Sequence, residues 1–366
     1  MRYEQKNPLP IPDSGAYDSV KATIDTVFDW QYALADEKLL SLYEKGKAQG
    51  WNATDIDWSV DVDIARLATE SRADVFMNTL MAPPVPFTLE TAIQFRQHMN
   101  AFMLSQFLHG EQGALIASAK IVQTVPWEEA KFYAANQVAD EARHVEVYHR
   151  YLTEKLGLSY EVHPSLRGLL DSIVQDSRWD VTYLGMQILV EGLALAAFGT
   201  MRLVNQNEPL IQEITDRIMQ DEARHVAFGV LSLQKIYGGE LSGAELRERE
   251  DFVIEATALL RDRLLGTPVF ERLGWDTSVW VPWMIETPFQ RGFRQMMFSK
   301  IVPNLKRLGL LTPRVRAAFQ KLDILRFENE PDSVEKPEVA PPEELVQMMM
   351  QYMAEHMAPP GPEGST

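Results

Sequence analysis

The sequence predicts an all-α protein built around a four-helix bundle, and three observations predict it. Five residues occur twice, as Asp140-Glu141-Ala142-Arg143-His144 and Asp221-Glu222-Ala223-Arg224-His225, 81 positions apart. Each copy is preceded by a glutamate set in an apolar helical stretch, Glu111 before the first and Glu191 before the second. A turn signal falls midway between each glutamate pair, at Pro126 for Glu111 and Glu141 and at 205–209 for Glu191 and Glu222.

Within each repeat the glutamate and histidine are three positions apart, so on a helix they share one face. Folding the chain back at Pro126 brings Glu111 and Glu141 level, each about 21 Å from the turn at 1.5 Å per residue. The same construction works for Glu191 and Glu222. Two hairpins packed face to face then enclose four glutamates and two histidines, the ligand pattern of dimetal carboxylate bundles.

A single Glu-x-x-His is common on solvated helix faces. Here the surroundings argue otherwise, because Tyr183 to Met201 is apolar or small apart from Gln187, Glu191 and Thr200. A carboxylate buried there without a partner is very costly. Four carboxylates balance two divalent cations, which removes that cost.

The elements follow in order. Residues 7–12 read as an extended proline-bearing arm and 18–49 as a helix. Residues 51–62 form a loop, and 64–81 a helix closed by the prolines at 83–86. The bundle helices are expected over 88–125, 127–156, 179–205 and 208–237. The crossover at 157–178 has room for a short helix at 164–175. Beyond the bundle, 243–265 reads as an amphipathic helix and 314–326 as a shorter one. The aromatic-rich run 275–298, broken at Pro282 and Pro288, either packs on the bundle or caps a pocket. From Glu328 the chain turns acidic and proline-rich and reads as a tail, with a Met-bearing helix or disorder at 343–357. The resulting organisation is 1–87 as N-terminal arm and helices, 88–237 as the bundle, 238–327 as C-terminal helices, and 328–366 as tail.

Composition limits the function classes. The 366 residues include no cysteine, which excludes disulfides, iron–sulfur clusters and thiol nucleophiles supplied by this chain. A net charge of −17 argues against nucleic acid and against an anionic membrane surface as partners. The N-terminus has no apolar signal core, and the one membrane-like stretch carries Glu191 at its centre, so a soluble cytoplasmic protein is expected.

The paired DEARH motifs and their two upstream glutamates resemble the ferritin-like diiron oxygenase superfamily. It includes the hydroxylases of multicomponent monooxygenases, acyl-carrier-protein desaturases, p-aminobenzoate N-oxygenase and the small subunits of class I ribonucleotide reductase. The resemblance covers about 88–237 and implies a ferritin-like four-helix bundle with two iron ions, or iron and manganese, that activate O2. It implies that Glu111, Glu141 and His144 hold one metal and Glu191, Glu222 and His225 the other, with some glutamates bridging. It also implies that Asp140 orients His225 and Asp221 orients His144, in keeping with the need to fix a ligand histidine through its second nitrogen. Arg143 and Arg224 then balance those aspartates or face solvent.

Departures from the family limit the subclass. Leu195 stands where the hydroxylases carry threonine, and Ile218 stands where the N-oxygenase adds a histidine ligand. Glu111 replaces the aspartate usual in reductase subunits, although Tyr148 occupies the place of their radical tyrosine; simple packing is its other reading. Apolar neighbours such as Phe107, Leu108, Ile188 and Ala194 suit a hydrophobic or aromatic substrate and equally a sealed core. The expected activity is O2-dependent oxidation of a small organic molecule, with an external reductase or ferredoxin as electron donor. A radical-generating or iron-handling protein is the alternative, and a homodimer is left open.

Overall fold

The computed structural model describes residues 18–239, 241–336 and Gln347. The arm at 7–12 and most of the 343–357 segment lie outside them. All the regular secondary structure among the described residues is helical, with no strand.

Four long helical runs form the centre. α4 (Leu89–Thr124) is the longest, at 36 residues or about 54 Å, and starts at Thr88, whose hydroxyl accepts from the Thr91 amide. Val125 and Pro126 end it, and α5 (Glu128–Arg150) returns antiparallel, continuing as a π-helical turn over Tyr151–Leu156 that stops at Gly157 in the left-handed conformation. The third run is continuous from Trp179 to Val204: a short α-helix (α7, Trp179–Tyr183), a π-helical stretch (Leu184–Val190) and α8 (Glu191–Val204). Glu208 caps α9 (Pro209–Tyr237), accepting from the Leu210 and Ile211 amides at 2.9 Å each. α6 (Pro164–Gln175) lies in the crossover between the hairpins. The result is a ferritin-like four-helix bundle.

The Trp179–Arg202 run is long enough to cross a membrane and contains an 18-residue window of mean hydropathy 1.6, yet every residue of that window is buried. It is the central element of the main core. Its π-helical stretch packs tightly against α9 at Gly229, where a Cβ would sit 2.5 Å from the Cβ of Gln187.

The additions pack on two cores. α1 (Glu37–Ala48) lies across α5 and α9 and belongs to the bundle core. α2 (Ile64–Glu70), α3 (Ala73–Leu80), the N-terminal half of α4, α11 (Thr267–Leu273) and α12 (Thr277–Glu286) enclose a second core. α10 (Gly243–Arg263), α14 (Ile301–Arg307) and α15 (Pro313–Leu322) return to the first, and α13 (Pro288–Met297) packs beside α8.

Several expected elements differ. Residues 18–36 are not helical, because backbone amides there bond elsewhere: Val27 donates to Gln123 O, and Ala35 and Asp36 both donate to the Glu129 carboxylate on α5. The helix expected over 64–81 is two, divided at Arg72, whose φ of 48° is left-handed. Pro282 does not break its helix but lies inside α12, which Trp280 and Trp283 anchor in the second core; Pro288 instead starts α13. α15 ends earlier than expected, at Asp323 with φ 59°. The tail does not begin at Glu328, since Asp332 and Ser333 are buried, with Ser333 bonded to Asn304 and Asp332 paired to Arg307.

Candidate metal centre

α4, α5, α8 and α9 each point one glutamate inward at the same level of the bundle. Glu111, Glu141, Glu191 and Glu222 are all buried, and so are His144 and His225. Ligand-capable atoms of Glu111, Glu141, His144 and Glu222 lie within 4.8 Å of one another, as do those of Glu141, Glu191 and His225. Glu141 belongs to both groups and therefore spans the centre. His144 Nδ1 is 3.3 Å from oxygens of Glu111, Glu141 and Glu222; His225 Nδ1 is 3.1 Å from Glu141 and 3.7 Å from Glu222. Glu222 lies with Glu111 and His144 in the first group and also comes within 3.7 Å of His225 Nδ1, so it reaches both imidazoles.

The opposite edge of each imidazole is bonded across the bundle. His144 Nε2 is 3.2 Å from Asp221 Oδ2, and His225 Nε2 is 3.2 Å from Asp140 Oδ2. Asp140 is paired with Arg143 and Asp221 with Arg224, each one helical turn away. Arg224 is buried and reaches Gln49 at 2.6 Å, and Arg143 is partly buried, so neither is a free surface charge.

Three further residues belong to the centre. Gln137 is fully buried and donates to Glu141 at 3.0 Å and Glu191 at 2.8 Å, tying two of the carboxylates together. It sits one turn before Glu141, so a polar residue four positions upstream on the buried face was the available signal. Asn136 donates to Asp140 at 3.0 Å. Trp51, from the loop after α1, donates its indole N–H to Asp221 Oδ2 at 2.8 Å. No local pattern marks a loop tryptophan as the partner of a residue 170 positions away.

Tyr148 is also fully buried, and its hydroxyl has no hydrogen-bond partner. Burial, with Glu111 close by, holds that hydroxyl well above the ordinary phenol range. Of the other histidines, His98 bonds the Tyr160 hydroxyl, His109 the Tyr160 carbonyl, and His163 caps α6, so each is occupied structurally.

The electrostatics ask for cations. Burial, with Glu222 and then Glu141 adding repulsion, pushes Glu111 and Glu191 well above the usual carboxylate range. Glu141 goes the other way: against burial, His225 and His144 hold it well below. Burial works against charge on the imidazoles too, yet Asp221, Glu111, Glu141 and Glu222 hold His144 well above the ordinary value, and Tyr133, Glu141 and Asp140 do so for His225. Glu141 Oε2, Glu191 Oε2, both Glu222 oxygens and His225 Nδ1 are buried without a hydrogen-bond partner. Orphaned acceptors of this number in a dry core are what bound cations satisfy. Six ligands with one carboxylate common to both groups fit two divalent ions.

A narrow cavity opens beside this centre. Its free volume is about 10 Å³, room for about one water, and Glu111, Glu191 and Glu222 line it. Phe107, Gly110, Ala114, Val190 and Ala194 supply its apolar wall, with Gln106 and Arg263 as the remaining lining. Of the apolar neighbours expected from sequence, Phe107 and Ala194 line it, whereas Leu108 and Ile188 do not. The tryptophans of the 275–298 run stand elsewhere: Trp275, Trp280 and Trp283 pack with Phe87, Phe95 and Phe270. The three tryptophans pack in or against the second core, and none of them lines this cavity.

No family model matches the chain. Among solved structures it is similar to an R2-like ligand-binding oxidase with aerobically reconstituted metal cofactor after photoconversion, at 16% identity over 74% of this chain and 93% of that one, with a TM-score of 0.48. It is likewise similar to an R2-like ligand-binding oxidase with aerobically reconstituted Mn/Fe cofactor, at 18% identity over 77% and 92% of the two chains, with a TM-score of 0.45.

Proposed function

We propose that this chain is a non-haem dimetal oxidase that uses iron, or iron with manganese, and O2 to oxidise a small organic substrate. Hydroxylation, N-oxygenation and desaturation are the candidate reactions. The observation that carries the reading is the buried set of four glutamates and two histidines, joined through Glu141 and closed by all four bundle helices. When bound, the two ions supply O2 binding and redox chemistry.

The chain's own residues do the rest. Asp140 and Asp221 fix the imidazoles so that each Nδ1 faces the carboxylates. Gln137 sets the separation of Glu141 and Glu191. Phe107, Ala114, Val190 and Ala194 keep water away from the substrate side. With no cysteine in the chain, electrons come from an external donor or from the substrate. The hydrogen-bonded series Trp51, Asp221 and His144 leads from the loop after α1 to the centre.

A radical-generating role is the second reading, favoured by the buried, unpartnered Tyr148 hydroxyl near Glu111. The two readings separate in one experiment. The iron-loaded, chemically reduced protein is exposed to 18O2 with panels of aromatic and aliphatic small molecules, and products are read by mass spectrometry. Isotope-labelled or dehydrogenated product supports the oxidase reading. A long-lived tyrosyl signal abolished by Tyr148→Phe, without product, supports the radical role. Uptake of hundreds of irons with mineral formation defeats both.

A further inference from the structure

Five aromatic rings run in contact from the molecular surface to a histidine of the metal centre. Trp127, which precedes α5, packs edge-on against Trp179 at 5.2 Å between ring centroids, and Trp179 against Tyr183 at 5.6 Å. Tyr183 meets Phe228 at 5.0 Å, Phe228 meets Tyr133 at 4.5 Å, and Tyr133 meets the His225 imidazole at 6.3 Å. Both tryptophans are half-buried and the three inner rings are fully buried. Aromatic pairs are ordinary in a core. This series also has a direction, since it starts at the surface and ends at His225.

Its outer end opens into a groove of about 620 Å³ between the 29–38 segment, the start of α5 and the end of α9. Lys235 in the groove and His225 share α9, and their ten-residue spacing sets the groove about 15 Å from the centre at 1.5 Å per residue. The segment that walls the groove exposes Phe28, Trp30 and Tyr32 at 67%, 72% and 64%, with the first two rings stacked at 5.1 Å. Exposed rings gathered in this way mark an interaction surface. The charged lining is five acids to two lysines, and Lys235 is already paired with Asp36 at 2.7 Å. Asp29, Glu37 and Glu128 are left facing Lys38 alone, so the groove attracts positive charge. Trp51, the other ring joined to the centre, is buried and lies beneath the Arg143 and Arg217 guanidiniums, which repel a basic partner.

We infer that the groove docks the basic face of a one-electron carrier protein, and that the rings from Trp127 to Tyr133 conduct its electron to the metal centre. This rests on the oxidase reading with an external donor, and it names that donor's surface chemistry and point of entry. Each encounter oxidises the carrier by one electron and reduces the centre by one. No bond forms or breaks along the rings. Burial holds the Tyr133 and Tyr183 hydroxyls above the ordinary phenol range, so both stay protonated as the electron tunnels past them.

The test runs the route in reverse. The iron-loaded full chain, reduced without O2, is mixed with oxidised cytochrome c, a basic one-electron protein, and haem reduction is followed by stopped flow. The rate should saturate with cytochrome and fall as salt rises. Glu37→Lys with Glu128→Lys should slow the second-order rate by about 10-fold or more, whereas Glu70→Lys, an exposed acid on α2, should leave it unchanged. Phe228→Leu and Trp179→Leu should slow the limiting rate at saturation without changing metal content, and Trp51→Phe should leave it as in the wild type. Indifference to the groove charges, an unchanged limiting rate in both ring variants, suppression by Trp51→Phe, or no haem reduction overturns the inference. A chain that retains no iron on loading defeats the dimetal reading and the route together. Electron transfer as expected without any O2-dependent product would sink the oxidase reading alone.

Discussion

Asp221 and His144 are 77 residues apart and meet at 3.2 Å inside the bundle, and Asp140 and His225 meet at the same distance from the opposite side. Each DEARH repeat thus orients the histidine of the other, so neither half of the centre is geometrically complete alone. Asp221 also accepts from Trp51, which ties the loop after α1 to the same oxygen. Replacing Asp140 or Asp221 by alanine should weaken metal retention by about 10–100-fold while far-ultraviolet circular dichroism stays helical. The check is competition with a chelator of known affinity; retention equal to wild type would remove the orienting role.

Glu141 and Glu111 should behave differently although both are buried glutamates. Glu141 contributes to both ligand groups, Glu111 to one. Elemental analysis of Glu141→Ala is therefore expected to show both ions lost or weakened, whereas Glu111→Ala should retain close to one. Equal stoichiometry in the two variants would mean that Glu141 does not bridge.

Two glycines make opposite predictions for stability. Gly229 on α9 leaves no room, since a Cβ there would meet Gln187 at 2.5 Å and Ile188 at 3.2 Å. Gly229→Ala should destabilise by about 1–3 kcal/mol through overpacking. Gly110 on α4 lines the cavity, and a Cβ there meets nothing within 4 Å. Gly110→Ala should be neutral or stabilising, by up to ~1 kcal/mol from helix propensity. Denaturant melts of the two variants decide both, and a loss of stability at Gly110 would mean the cavity wall is less open than it is drawn.

The parts of the fold that were legible are those with a local signal. The repeated motif, the upstream glutamates and the turn residues between them place all six inward-facing ligand candidates on four helices. Residues 18–36 were misread because their amides bond to α5 through Glu129 and to Gln123, contacts with no local signature. Trp51 and Arg263 escaped for the same reason. Each enters the site from outside the repeat, one from a loop and one from the end of α10, and sequence spacing cannot bring such residues to the bundle. Gln137 was different: it shares the face of Glu141 and His144 and was readable from helix periodicity alone. The aromatic run at 275–298 shows the limit of composition, which marks a large apolar payload but not which of two cores receives it.

The last prediction concerns what fixes the third bundle run to the C-terminal helices. Asp180 on α7 accepts from Arg249 on α10 at 2.9 and 3.0 Å, and from the Tyr237 hydroxyl at 3.0 Å. Both charged residues are buried. Burial disfavours the Arg249 charge, but Asp180 more than offsets it and raises the group above its ordinary value. Removing one partner leaves the other charge desolvated, so Asp180→Asn or Arg249→Met should each cost about 3–5 kcal/mol. Replacing both with residues of similar volume should cost far less than the sum of the two, because no charge is stranded. A double-mutant cycle by urea denaturation measures the difference. Additive costs would show that the pair is not coupled and that α10 is held to α7 by apolar packing alone.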